Sequence, residues 1–80
     1  MNYKELNFIK SNIRARELLI QEFQKDIKYY KMHYDCVDKK ELDEKIKQRE
    51  YDIQCVLNDI ATLQSIYRIV KEALKNGKTN

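Results

Sequence analysis

The sequence predicts an all-α protein: an antiparallel, coiled-coil-like two-helix hairpin that assembles as a dimeric four-helix bundle. The 80 residues include no Pro and one Gly, which is typical of long helices. Two apolar stripes with 3-4 spacing break phase near Cys36, and helix-start signals follow at the same point. One skipped residue in a single continuous coiled-coil helix would also shift the phase, so that fold is the alternative.

Helix 1 is predicted over about residues 3–34. Asn2 and Glu5 have the form of a capping box, which places the first helical residue at Tyr3. The apolar stripe then recurs every three or four residues, as expected for a helix that buries one face. Its members are Leu6, Ile9, Ile13, Arg16, Ile20, Phe23, Ile27, Tyr30 and Tyr34.

A short turn over residues 35–38 is predicted to connect the helices. Asp38 and Glu41 repeat the capping-box pattern, so helix 2 is expected to run over about residues 39–76. Gly77 suits the left-handed position after a helix, and residues 77–80 form a tail of the single domain 1–80. The second stripe consists of Leu42, Ile46, Arg49, Ile53, Val56, Ile60, Leu63, Tyr67, Val70 and Leu74.

Folding at the turn predicts which residues face each other, since their numbers should sum to about 72 or 73. Arg16 and Arg49 are the one interruption in each stripe, and we expect them to fix the register of the seam between the helices. The expected neighbours are Asp59 or Glu17 for Arg16, and Glu22 and Phe23 for Arg49.

Further apolar residues lie outside both stripes, and they predict a second interface. A hairpin of this length buries too little apolar surface to be stable alone, so we expect a partner. A second copy of the chain is the simplest partner, and another protein is the alternative. The expected interface residues are Phe8, Leu18, Leu19, Leu57, Ile66, Ile69 and Ala73.

Charge is unevenly distributed along the chain. Residues 35–60 carry five basic and eight acidic side chains, whereas residues 61–80 carry four basic and one acidic. Folding brings the two basic ends together, which predicts a basic patch that could bind nucleic acid. Its members are Lys4, Lys10, Arg14, Arg68, Lys71, Lys75 and Lys78.

Catalytic chemistry has no signature in this sequence. His33 and Cys36 are close in sequence, but they offer only two soft donors, and Cys55 is expected about 24 Å from Cys36 along helix 2. No nucleophile is accompanied by a base and an orienting acid. We therefore expect no enzyme activity, no catalytic residue, no metal, no cofactor and no small-molecule substrate.

The remaining features concern location and role. No segment reaches the roughly 20 apolar residues that span a membrane, no signal peptide is recognisable, and a disulfide is not expected, so we predict a cytoplasmic protein.

The predicted function is a non-enzymatic protein–protein interaction module that self-associates, or binds and regulates a partner protein. The chain is small, and its frequent Lys, Ile, Asn and Tyr residues suggest an AT-rich genome. Both features are typical of phage or mobile-element regulators and inhibitors. The alternative is a nucleic-acid-binding regulator.

Overall fold

The computed structural model describes residues 3–33 and 38–77, which form two long α-helices. Helix α1 spans Tyr3–Met32 and helix α2 spans Lys39–Lys75. The all-α hairpin is therefore confirmed. Helix α1 ends slightly earlier than predicted, because His33 already lies in a turn. The predicted cap at Asn2, residues 35–37 of the predicted turn over residues 35–38, and Lys78 lie outside the described residues.

Both ends of α2 are capped at the residues that the sequence indicates, although Glu41 pairs with Lys45 at 3.7 Å. Asp38 is the N-cap in an extended conformation, and its Oδ1 accepts a hydrogen bond from the Lys40 backbone N–H at 2.9 Å. At the other end Gly77 has a φ of 65°, and its N–H donates to the Leu74 carbonyl oxygen at 3.2 Å. These contacts satisfy backbone groups that the helix itself leaves unpaired.

The helices run side by side, which excludes a single continuous helix. Arg49 Nε lies 3.0 Å from Asp26 Oδ2, although these residues are 23 apart in sequence. In one straight helix the same residues would be roughly 35 Å apart at 1.5 Å per residue. The Arg49 guanidinium carbon also lies 5.1 Å from the Phe23 ring centroid, so this predicted facing pair is confirmed.

Burial is confined to the seam and is shallow. Among the described residues no side chain is less than 2% exposed. Three buried residues, Leu6, Ile9 and Val70, form a cluster near the termini. The other buried residues are Leu42 near the turn and Val56 and Ile60 near the middle. The result is a rod with Cα dimensions of 61 × 15 × 11 Å rather than a globule.

The heptad positions divide the surface of the rod into two flanks. In the heptad frame, Leu6 and Ile46 occupy position a, whereas Ile9 and Arg49 occupy position d. Residues at positions g and c then lie on one side of the seam. Residues at e and b lie on the other side. Because the helices are antiparallel, the g positions of α1 and α2 adjoin each other, and so do the e positions. We name these sides the g flank and the e flank.

Candidate interaction surfaces

An exposed apolar surface occupies the g flank near the termini. Phe8 and Ile69 are 71% and 66% exposed, and Ile66 is 42% exposed. Ala73 follows Ile66 by one heptad and is half-buried. These four residues come from opposite ends of the chain and are brought together by the hairpin. We name this surface, formed by Phe8, Ile66, Ile69 and Ala73, the docking face.

A groove of about 570 Å³ lies within the docking face. Phe8 and Ile66 form its sides, and the buried seam residues Ile9 and Val70 contribute to its floor. Lys4 and Glu5 also line the groove, so one basic and one acidic side chain flank an apolar centre. An apolar centre with a polar rim is the usual organisation of a protein-binding surface.

The remaining predicted interface residues lie elsewhere on the rod. Leu57 lines a different groove, of about 430 Å³, on the e flank beside Ile20 and Ala61. Leu18 and Leu19 are exposed, with Leu18 on the outer side of α1 at an f position. The predicted set is therefore divided between separate surfaces, and the docking face contains its largest contiguous part.

Arg49 holds a cross-helix polar network at the seam. Its Nε donates to Asp26 Oδ2 at 3.0 Å and its Nη1 donates to Asp52 Oδ2 at 2.9 Å, while its carbon packs over the Phe23 ring. The hydrogen bonds to Asp52 and Asp26 raise the pKa of Arg49, because they stabilise the charged guanidinium. The expected neighbour Glu22 is wrong, since it pairs with Lys25 at 3.4 Å.

Arg16 has weaker partners at the equivalent point of the other stripe. Its Nη1 donates to Asn12 Oδ1 at 3.2 Å, and its Nε lies 3.9 Å from Asp59 Oδ2, which confirms Asp59 as a neighbour. Both arginines are about one-third exposed, so their charged groups reach water. Neither encloses an anion site. Their geometry instead joins the two helices at two heights.

Replacing Arg49 should therefore destabilise the hairpin more than replacing Arg16. In Arg49→Met, Asp26 and Asp52 lose the cation they share and repel each other across the seam. In Arg16→Met, one long ion pair and an Asn12 contact are lost. We expect a clearly lower Tm for Arg49→Met by circular dichroism. An equal or larger loss in Arg16→Met would contradict this assignment.

Basic side chains gather on the e flank of the same terminal half. Lys10 Nζ and Lys71 Nζ lie 5.7 and 6.0 Å from the centroid of one Tyr67 ring, although they belong to different helices. Arg14, Arg68 and Lys75 occupy b positions beside them and are exposed. We name the surface formed by Lys10, Arg14, Arg68, Lys71 and Lys75 the basic face. It is on the opposite side of the rod from the docking face.

Two local side-chain pairs were not foreseen from the sequence. The His33 ring lies 4.2 Å from the Tyr29 ring, and its Nδ1 donates to the Tyr29 carbonyl oxygen at 2.9 Å. A hydrogen bond to Cys55, one helical turn away, raises the pKa of Tyr51. Spacings of four residues on a helix are the sequence signal for both pairs.

Comparisons with known proteins identify no relative, since no family model, curated protein or solved structure matches the chain. Within residues 3–33 and 38–77, no cluster of three or more metal-ligating side chains is present. Neither α1 nor α2 contains a stretch apolar enough to cross a membrane.

Proposed function

We propose that the protein is a non-enzymatic interaction module whose docking face binds a second copy of the same chain. The observation that carries this proposal is the exposed pair Phe8 and Ile69 beside a groove floored by Ile9 and Val70. Contiguous exposed apolar surface is typical of sites where a protein associates with a partner. Partner regulation would then be exerted by the assembled dimer.

The solvent-accessible area of the chain is large enough to be partly covered by a second copy. The chain exposes 6424 Å², whereas a folded monomer of 9.7 kDa exposes about 5,100 Å². The excess of roughly 1,300 Å² is larger than the roughly 800 Å² that each partner buries in a standard interface. A second copy covering the docking face would therefore bring the exposed area per chain toward that of an ordinary folded protein.

The chemistry of the docking face suits a two-fold symmetric contact with itself. A two-fold axis places the same surface on both sides, so the protruding Phe8 of each copy can fill the groove beside Ile66 of the other. Lys4 and Glu5 carry opposite charges on the rim of that groove. The same axis can bring Lys4 of one copy toward Glu5 of the other copy, so that the rim is complementary to itself.

This contact has a geometric consequence for the two rods. Because the docking face lies in the terminal half, joining face to face brings the C-terminal ends of both α2 helices together. Full-length antiparallel stacking would instead place those ends at opposite ends of a 61 Å rod. The proposed dimer is therefore a four-helix bundle over the terminal halves.

Sedimentation equilibrium of the full chain tests the proposal, with an expected mass of twice 9.7 kDa. We also expect the Tm to rise with protein concentration, because the dimer is linked to folding. A spin label at Asn76→Cys, with Cys36 and Cys55 changed to Ser, should report a distance between copies well below the rod length. A monomer throughout the concentration series would overturn the proposal, and a label distance near 60 Å would overturn the face-to-face arrangement.

A further inference from the structure

We infer that the basic face binds the phosphate backbone of nucleic acid, independently of the association proposed for the docking face. Five cationic side chains from both helices are gathered here: Lys10, Arg14, Arg68, Lys71 and Lys75. Lys10 and Lys71 both lie within 6.0 Å of the Tyr67 ring centroid, so two ammonium groups from different helices are held over one half-buried ring.

Intramolecular ion pairs do not neutralise this face. The cross-helix ion pairs of the described residues involve Arg16 and Arg49, which lie at the seam. No ion pair joins a member of the basic face to a carboxylate within the described part of the chain. Glu72 lies at the outer edge of the face and Glu17 one heptad from Lys10. Five cations against these two carboxylates leave an excess of three positive charges, and a bound anion would relieve their mutual repulsion.

The composition of the face favours phosphate over an acidic protein surface. Protein interfaces centre on exposed aromatic or aliphatic side chains and are depleted in Lys. On the basic face the central ring, Tyr67, is half-buried and covered by two lysines. The exposed Tyr3 lies at the outer end of this face rather than at its centre. Phosphate contacts need no apolar centre, since Lys and Arg supply the attraction by displacing counter-ions.

The opposite placement of charge and apolar surface also argues against an anionic membrane. Helices that lie on a membrane insert apolar side chains while adjacent cations reach the headgroups. Here the exposed Phe8 and Ile69 are on the g flank, whereas the cations are on the e flank, where the apolar groove beside Leu57 lies nearer the middle of the rod. A membrane could therefore engage one surface only by leaving the other behind. In the proposed dimer the two basic faces would remain outward.

Binding can be measured by fluorescence anisotropy with a random-sequence DNA duplex, an RNA duplex and a single strand as separate probes. With five phosphates neutralised, raising salt from about 50 to 200 mM should weaken duplex binding by about 500-fold. Binding of either duplex with this salt dependence, or of the single strand with a weakening of about 130-fold over the same range, supports the inference. The ranking of the probes identifies the preferred form. Salt-independent binding, no binding, or equal affinity for poly-glutamate or for phosphatidylglycerol vesicles would overturn it.

A matched pair of variants locates the interaction. Arg14→Glu with Arg68→Glu reverses two charges at b positions of the basic face. Lys28→Glu with Lys47→Glu makes the same change in net charge at b positions of the turn half. We expect affinity to fall at least about 10-fold in the first double variant and less than about 3-fold in the second.

The oligomeric state separates this inference from the proposed association. Both double variants should sediment like the wild-type chain, because none of the four substitutions touches the docking face. Equal loss of nucleic-acid affinity in both double variants would overturn the assignment to the basic face. Circular dichroism of each double variant confirms that helical content is retained, so that a loss of binding reports on charge.

Discussion

The Ile66→Asp variant is expected to sediment as a monomer, whereas Leu57→Asp is expected to remain a dimer. The two residues are 42% and 44% exposed, both lie on α2, and each lines a groove. Their substitution should therefore cost the isolated hairpin a similar amount. They differ in the flank on which they lie, since Ile66 is on the docking face and Leu57 is on the e flank.

The physical basis of this difference is the desolvation of charge. An aspartate at position 66 would have to lose water when the second copy covers the groove, whose centre is apolar. We expect the dimer dissociation constant of Ile66→Asp to rise by at least about 100-fold, equivalent to roughly 2.7 kcal/mol. Sedimentation velocity over a concentration series measures it. Dissociation by Leu57→Asp instead would assign the interface to the e flank.

Truncation of a buried seam residue is expected to have the second large effect. Leu6 is 5% exposed and packs with Ile9 and Val70 in the terminal cluster. Leu6→Ala should lower the free energy of unfolding by about 2 to 5 kcal/mol, because apolar contacts are lost and a cavity remains. For so small a core, that loss should leave the chain largely unfolded at room temperature.

The control is Leu18→Ala, the same substitution on the same helix at a side chain that is 50% exposed. This variant should change the free energy of unfolding by less than about 1 kcal/mol. Circular dichroism during urea unfolding measures both variants. If Leu6→Ala were no more harmful than Leu18→Ala, the terminal cluster would not be the core of the hairpin.

The fold could be predicted because its determinants are local or periodic. The phase break near Cys36 and the cap at Asp38 are visible in the sequence, and each has a direct structural reason. The register followed from counting residues across the turn, as the contact between Arg49 and Phe23 shows. The alternative of one continuous helix could not be excluded by counting alone, since a skipped residue produces the same phase shift.

The candidate surfaces were less predictable, because the apolar residues outside the seam were not assigned to flanks. Phe8 and Ile66 share a groove, whereas Leu57 belongs to another one. Assigning g and c separately from e and b would have made this division. The partner of Arg49 was missed for a similar reason, since Asp26 adjoins the seam at a g position and Glu22 points outward at c.

The origin of the docking face at both ends of the chain has a consequence for the order of folding. Contacts near the turn close short loops, whereas contacts between the two ends of the chain, such as that of Phe8 with the groove of Ile66, close long ones and should form late. We expect contacts between α1 and α2 to form first near the turn and then progressively toward the termini. Association would then select fully folded hairpins, because a chain whose terminal halves are not yet paired does not present a complete docking face to a second copy.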